Sequence, residues 1–522
     1  MSSPVTRDAL SRLARIVALA GAVLVLLISS TLGPAATLAS PHISSGPTEE
    51  SMIEPAATVL ADQLDASSIP GGAVVIVDNG RIATRGEGTT GNQGNVGPDT
   101  PFVLGSTSKS FTALALMQLV DAGAVDLQDP VTNYVPELDL ADNEPADDIT
   151  VRHLLQQTSE LSDLSAGPLV ASAADGTPLA AVAELRGAEL VSAPGQEWHY
   201  ANINYVLAGL VIERASGMGY PDYIQDRIFD PLQMRHSYVS ADAARADGLS
   251  SGHRFWFGVP IASGPTQRTA MLAAGYLIST PGDMGRYLNM YLSEGLGPDG
   301  SPIVSAASLR TMLTPGPAAH LGPWAQGRTS HYAMGWFVGG PWGDDALFHP
   351  GNSPDSSSMI SVFPDRGVAV ATLLNAGHEL PVPGNPSITD RVSRNVIHAA
   401  LDQDVPDLPS LRRFYLVVDA VAFGLVALAL WGLVRAFTAL SPARNLDQRS
   451  AGARRWAGVG IRTLGALALV FGVSVVYGWA QLWTWAPDLA LTITALVLLW
   501  LATATIRLFI LVRVRRRSLS RT

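Results

Sequence analysis

The sequence predicts an α+β domain followed by three transmembrane helices, and three observations carry that expectation. Strand hairpins stand near both ends of the segment from Pro41 to Pro409, helical patterns fill its middle, and after Pro409 the chain turns mainly apolar. The first hairpin is Ala73 to Thr84, two strands joined at Asn79-Gly80, a dipeptide that favours the tight turn between antiparallel strands. The second is Ser358 to Leu374, and Tyr205 to Ser216 has helical patterning. With strands at both ends and helices between, the two hairpins are expected to share one antiparallel sheet.

The apolar runs at 415–434, 463–485 and 489–509 are each long enough to cross a bilayer core of about 30 Å as helices. Arg435, Arg444, Arg449, Arg454, Arg455 and Arg462 lie between the first two, and Arg513, Arg515, Arg516, Arg517 and Arg521 follow the third. Arginine-rich flanks mark the cytoplasmic side, which leaves Ala486-Pro487-Asp488 as an outside hairpin, with Tyr477, Trp479, Trp483 and Trp485 as an interfacial aromatic belt. At the other end, Arg7, Arg12 and Arg15 precede an apolar run from Ile16 to Ile28, so residues 1–40 are expected to be an export signal or an N-terminal anchor. The domain at 41–405 is then extracytoplasmic, joined by a linker at 406–414 to the three helices and a basic cytoplasmic tail at 513–522.

Composition narrows the chemistry. The chain has no cysteine, which removes disulfides, thiolate metal sites and cysteine nucleophiles. Residues 41–410 carry 17 basic against 41 acidic side chains, while residues 411–522 carry 14 against 3. An acidic main domain argues against nucleic acid, and the basic C-terminal part is too apolar to be a nucleic-acid tail. The histidines show no metal-ligand spacing.

Lys109 is the single lysine among 34 basic residues. An arginine stays charged in a protein, whereas a lysine can lose its proton and act as a base. Ser106 stands three residues earlier, a spacing that puts both side chains on one face of a helix, and a hydroxyl beside a deprotonatable amine is an activated nucleophile. The apolar run to Val120, with Gly123 placed to stop it, sets Ser106 at a helix N-terminus, where backbone amides favour developing negative charge. Two further segments offer polar groups: Tyr200-Ala201-Asn202, a phenol and an amide leading into a helix, and His349-Pro350-Gly351-Asn352 before the late hairpin, where Gly351 would let a substrate approach the backbone.

In this order, Ser106-Thr107-Ser108-Lys109, Tyr200-Ala201-Asn202 and His349-Pro350-Gly351 make the chain resemble the serine β-lactamase-like family: class C β-lactamases, low-molecular-weight penicillin-binding proteins and related esterases. The resemblance runs from about Glu49 to His398 and includes Val151 to Leu155 and Ala274 to Thr280. It implies a β-lactamase/transpeptidase-like fold, an antiparallel sheet with flanking helices plus an all-helical region, and no cofactor. It also implies roles. Ser106 would be acylated, with Lys109 taking its proton and Tyr200 sharing the relay. Asn202 would bind the substrate's acyl side, the N–H groups of Ser106 and Asn352 would form the oxyanion hole, and His349 and Gly351 would line the cleft. Two departures stand out: His349 and Pro350 replace the lysine and hydroxyl residue of many β-lactamases, and Glu160 replaces a usual glycine. An unshifted histidine would titrate near 6.5, so capture of anionic substrates would improve as pH falls.

The function expected from this reading is a membrane-anchored serine hydrolase acting through acyl-Ser106 on an amide or ester, a DD-peptidase-like cell-wall enzyme. The alternatives are a small-molecule esterase or amidase, a β-lactamase, and a sensor that is acylated without turnover. The partners expected are a small-molecule or peptide substrate and the membrane.

Overall fold

The structure, a computed structural model, describes residues 48–522 apart from 92–93, 142–143, 162–175, 265–267, 322–326, 379–386, 440–451, 477 and 520–522. The N-terminal export segment and most of the first arginine-rich loop therefore lie outside the described residues.

The two hairpins form as the turn chemistry dictates. Strands β1 (Gly71–Asp78) and β2 (Arg81–Gly88) flank Asn79 and Gly80, both at positive φ (49° and 81°), the backbone that Asn and Gly accept most readily. Four strands, β3 (Ala318–Ala319), β4 (Ser330–Tyr332), β5 (Phe337–Gly339) and β6 (Leu347–Asn352), then lead to the late hairpin, β7 (Ser357–Phe363) and β8 (Val368–Leu374). The eight lie in one antiparallel sheet, ordered β2-β1-β8-β7-β6-β5-β4-β3. β1 pairs directly with β8, Val75 opposite Ala371, so the two hairpins share a sheet as their positions in the sequence suggested.

β1 is buried on both faces, which is why it reads as a continuous apolar run. Val74 and Ile76 pack toward helices α1 (Glu49–Ser67) and, near the end of the domain, Ile388–Ala400; Val75 and Val77 point into the larger core on the opposite face. That larger core holds α2 (Ser108–Asp121), α3 (Asn202–Ser216), the single turn α4 (Leu272–Gly275) and α5 (Pro281–Leu292). α2 is buried along nearly its whole length and ends at Gly123, φ 68°, as the apolar run and its glycine imply.

Counting Ile388–Ala400 as α6, the chain continues into α7 (Leu411–Thr438), α8 (Gly452–Val476), α9 (Trp479–Trp485) and α10 (Pro487–Leu519). Three stretches, Leu411–Thr438, Trp456–Ser474 and Pro487–Arg513, are long and apolar enough to cross a membrane. They turn large apolar side chains outward, with Leu416 71% and Phe471 70% exposed, as a lipid-facing surface requires. The second apolar run does not continue as one helix to Trp485. Gly478, φ 78°, breaks it, and its N–H closes back on the Val473 carbonyl at 2.7 Å, so Trp479–Trp485 forms a separate short helix.

Candidate active site

Ser106 sits in the turn Gly105–Thr107, between the short strand Phe102–Val103 and the start of α2. The turn is pressed backbone to backbone against β6. Gly105 has φ 59°, and a Cβ there would fall 2.6 Å from the backbone nitrogen of Asn352. Gly351 is its counterpart: a Cβ would fall 2.1 Å from the Leu104 carbonyl oxygen and 2.5 Å from Ser358 Oγ. The close approach that Gly351 permits is therefore to the turn that carries Ser106, and its expected role as cleft lining is corrected to this packing role. Ser358 Oγ locks the joint by donating to the Leu104 carbonyl at 2.6 Å.

Lys109 is fully buried in the first turn of α2. Its Nζ lies 3.0 Å from Ser106 Oγ, 2.8 Å from Asn202 Oδ1 and 2.6 Å from the Ala274 carbonyl oxygen. The last two are obligate acceptors, whereas a hydroxyl both donates and accepts. As an ammonium, Lys109 donates to all three. As an amine, it keeps both donations to the obligate acceptors and turns its lone pair to the Ser106 hydroxyl, the arrangement a base needs. Tyr200 presents its ring to the same nitrogen, 4.9 Å from the centroid.

The segment leading to Tyr200 is held by a loop of unusual backbone. Gln157 and Glu160 both have positive φ (60° and 65°), so the position where glycine was expected is indeed left-handed. Glu160 is buried and useful there: one carboxylate oxygen accepts from the Glu197 N–H at 2.7 Å, and the other lies 3.4 Å from His199 Nε2. Gln157 accepts from the Ala201 N–H at 3.0 Å, and its carbonyl accepts from the His199 N–H at 2.9 Å. These bonds fix the residues on either side of Tyr200.

Ser106, Tyr200, Asn202, His349 and Asn352 line one cleft, with Lys109 beneath it. His349 borders it almost without exposure, at 1%. Its Nδ1 lies 2.7 Å from the Pro350 carbonyl, which only accepts, so Nδ1 carries the proton and Nε2 accepts from Tyr332 Oη at 3.1 Å. Burial, helped by the charge of Lys109, lowers its pKa to about 3. The expectation of a histidine titrating near 6.5 is thus overturned, because the burial of β6 depends on which strands and helices pack against it and not on its own residues.

His378 is also buried and held down to about 4 by desolvation, and burial lowers His153 and His398. The unfolded chain takes protons on these histidines near pH 6.5 and the folded chain only at lower pH, so stability is full above pH 6.5 and falls as pH drops below it. The slope is up to about 1.4 kcal/mol per pH unit for each fully neutral histidine. Buried Asp283 and Asp355 are shifted upward and act in the opposite sense, closer to the carboxylate range. Thermal unfolding is expected at a clearly lower temperature at pH 5 than at pH 7.5, with His349→Gln narrowing the difference. Equal midpoints would count against a neutral buried His349.

Several lining groups escaped the motif reading. Trp198, Met271, Tyr276, Leu321 and Phe337 complete the apolar walls, and Gln481 and Trp485 reach the cleft from α9. The Ala274 to Thr280 stretch was recognisable as a motif, but not its carbonyl bond to Lys109.

A family model described as beta-lactamase matches residues 56–390, well over half of the chain. The protein belongs to the beta-lactamase family. Among its relatives, Protein flp of Staphylococcus aureus strain MW2 is 26% identical over 345 residues, covering 65% of this chain and 66% of that protein. The chain thus spans just under two-thirds of the length of these flp relatives. Penicillin-binding protein 4 of Amycolatopsis lactamdurans is 28% identical over 328 residues, covering 59% of this chain and 81% of that protein. Among solved structures, the octameric penicillin-binding protein homologue from Pyrococcus abyssi superposes with a TM-score of 0.59 at 25% identity, over 68% of this chain and 79% of that one. A class C beta-lactamase shares the fold with a TM-score of 0.55 at 19% identity, over 70% of this chain and all of that one. The beta-lactamase-family match ends at Asp390, so the three long apolar helices lie beyond it.

Proposed function

We propose that the protein is a membrane-anchored serine hydrolase, its domain outside the cytoplasm, that cleaves esters or amides through acyl-Ser106. The observation carrying this reading is Lys109 Nζ at 3.0 Å from Ser106 Oγ, with two obligate acceptors, Asn202 Oδ1 and the Ala274 carbonyl oxygen, also in hydrogen-bond reach of the same nitrogen. Ser106 Oγ attacks the substrate carbonyl carbon while its proton passes to Lys109. The carbonyl oxygen, now negative, is held by the backbone N–H groups of Ser106 and Asn352, which the Gly105–Gly351 packing keeps adjacent. Collapse of the tetrahedral adduct expels the alcohol or amine, which leaves with the proton through Lys109 and Tyr200. Water then attacks the acyl-enzyme, releasing the acid and restoring the Ser106 hydroxyl.

Among the described residues, the cleft is lined by no acidic, lysine or arginine side chain, and His349 is neutral. This lining favours substrates without a carboxylate near β6. The resemblance to penicillin-binding proteins supports a second reading, a DD-peptidase-like enzyme of the cell wall. The arginine-rich flanks of the apolar helices support placing the domain outside.

The protein, followed by intact mass with time, is to be mixed separately with a p-nitrophenyl ester, a D-alanyl-D-alanine peptide and a fluorescent penicillin. A transient adduct with continuous product is expected for the ester or the peptide, and slower turnover for penicillin. Adducts that persist on every probe without product would overturn the hydrolase reading in favour of a non-turnover sensor. Penicillin turnover near the diffusional limit at pH 8 would show that His349 and Pro350 do not set specificity.

A further inference from the structure

The wall of the cleft is not wholly built by the hydrolase domain. Gln481 and Trp485 line the same cleft as Ser106, and both belong to α9, the short helix between the second and third apolar helices. This contact is held in place by bonds outside the cleft. The Phe257 N–H donates to the Asp488 carboxylate at 3.1 Å, Phe255 stacks on Tyr415 of α7 with centroids 6.3 Å apart, and Phe257 stacks on Phe423 at 5.3 Å. A Cβ on Gly258 would lie 2.9 Å from Tyr415. The strand pair Gly252–Trp256 and Val259–Ser263 is therefore clamped onto the helical block beside the cleft.

We propose that α9 is a working wall of the active site, and that Trp485 and Gln481 are specificity-determining residues selecting an amphiphilic ester or amide presented at the membrane surface. The proposal rests on the acyl-Ser106 reading and deepens it. α9 joins the ends of two helices long enough to span a bilayer, so it lies at the level of the headgroups, where Trp479, Trp483 and Trp485 are at home. A side chain that shares a cleft with Ser106 brings Ser106 close to that level. The apolar surfaces of Trp198, Phe337 and Trp485 give the substrate's hydrocarbon portion a place to lie, and the uncharged lining offers little to hold a soluble anion. Scission needs nothing beyond water: the ester or amide bond breaks, acyl-Ser106 forms, and hydrolysis returns the serine.

The test uses the full chain in nanodiscs of phosphatidylcholine and phosphatidylglycerol, with p-nitrophenyl decanoate and p-nitrophenyl acetate, and fluorophosphonate labelling of Ser106 as a check on the folded site. Trp485→Ala is expected to lower the decanoate-to-acetate ratio of kcat/KM by about tenfold, the scale of a few lost apolar contacts in a pocket. Trp485→Phe should recover much of it. Gln481→Leu should raise the ratio about threefold by making the wall more apolar. Trp456→Ala, far from the cleft on α8, should keep the wild-type ratio. An unchanged ratio in Trp485→Phe, Trp485→Ala and Gln481→Leu, with labelling intact, would overturn this inference alone. If Trp485→Ala fails to label, the Gln481→Leu ratio decides, a threefold rise supporting the inference and an unchanged ratio overturning it. No labelling of the wild-type protein at Ser106 would overturn both this inference and the reading beneath it.

Discussion

Ser106→Ala is expected to abolish covalent labelling by every acylating probe while leaving the fold intact. The side chain is half-buried at the mouth of a turn whose shape is set by Gly105, Leu104 and Ser358, so removing one hydroxyl leaves that packing in place. What is lost is the oxygen 3.0 Å from Lys109 Nζ, and the other hydroxyl three residues away in the chain, Thr112, is fully buried and bonded to Tyr220 and the Ala273 carbonyl. Intact mass after incubation with penicillin and ester probes is the measurement. Stoichiometric labelling of the folded variant would show that another nucleophile carries the chemistry.

Lys109→Arg should be nearly as damaging as Lys109→Ala, although it keeps the charge. A guanidinium does not give up its proton, and its planar fork does not fit a fully buried site shaped around one nitrogen. Loss of a general base costs on the order of 100-fold or more in rate, about 2.7 kcal/mol of barrier. Single-turnover acylation of both variants, alongside thermal unfolding to establish that each is folded, measures it. If the arginine variant acylated at most of the wild-type rate, Lys109 would be a fixed cation and not a base.

Much of this was legible in the chain because it is local. The spacing of Ser106 and Lys109 on one helix, the Asn79-Gly80 turn and the glycine ending α2 are short-range facts, and each appears where the residues imply. The sharing of one sheet by the two hairpins followed from topology. What could not be read was which surfaces meet. Gly351 was assigned to a substrate because nothing in the sequence places Leu104 against it. His349 was given an ordinary pKa because its burial comes from Tyr332 and Phe337 on neighbouring strands, and Lys109 from the helical side. Glu160 made no sense as a replacement for glycine until its backbone bond to Glu197 was visible. Trp485 was read as a membrane anchor alone, since a break at Gly478 and a turn toward the cleft lie beyond any periodicity argument.

The bonds around Ser106 and Lys109 join parts of the chain made far apart in time. Lys109 reaches Asn202 across 93 residues and Ala274 across 165, and the Leu104 carbonyl accepts a hydrogen bond from Ser358 Oγ across 254. The sheet is closed at a still longer range, with the Gly71 N–H bonded to Asn375 across 304. Closing loops of this length is slow, and no shorter fragment contains all the partners. A chain emerging through a membrane from its N-terminus would carry Ser106 outside early, but as an ordinary serine. On the acyl-Ser106 reading its reactivity would arrive only when the last strands are in place, so a rise of acylating power during refolding would be a clock for completion of the domain.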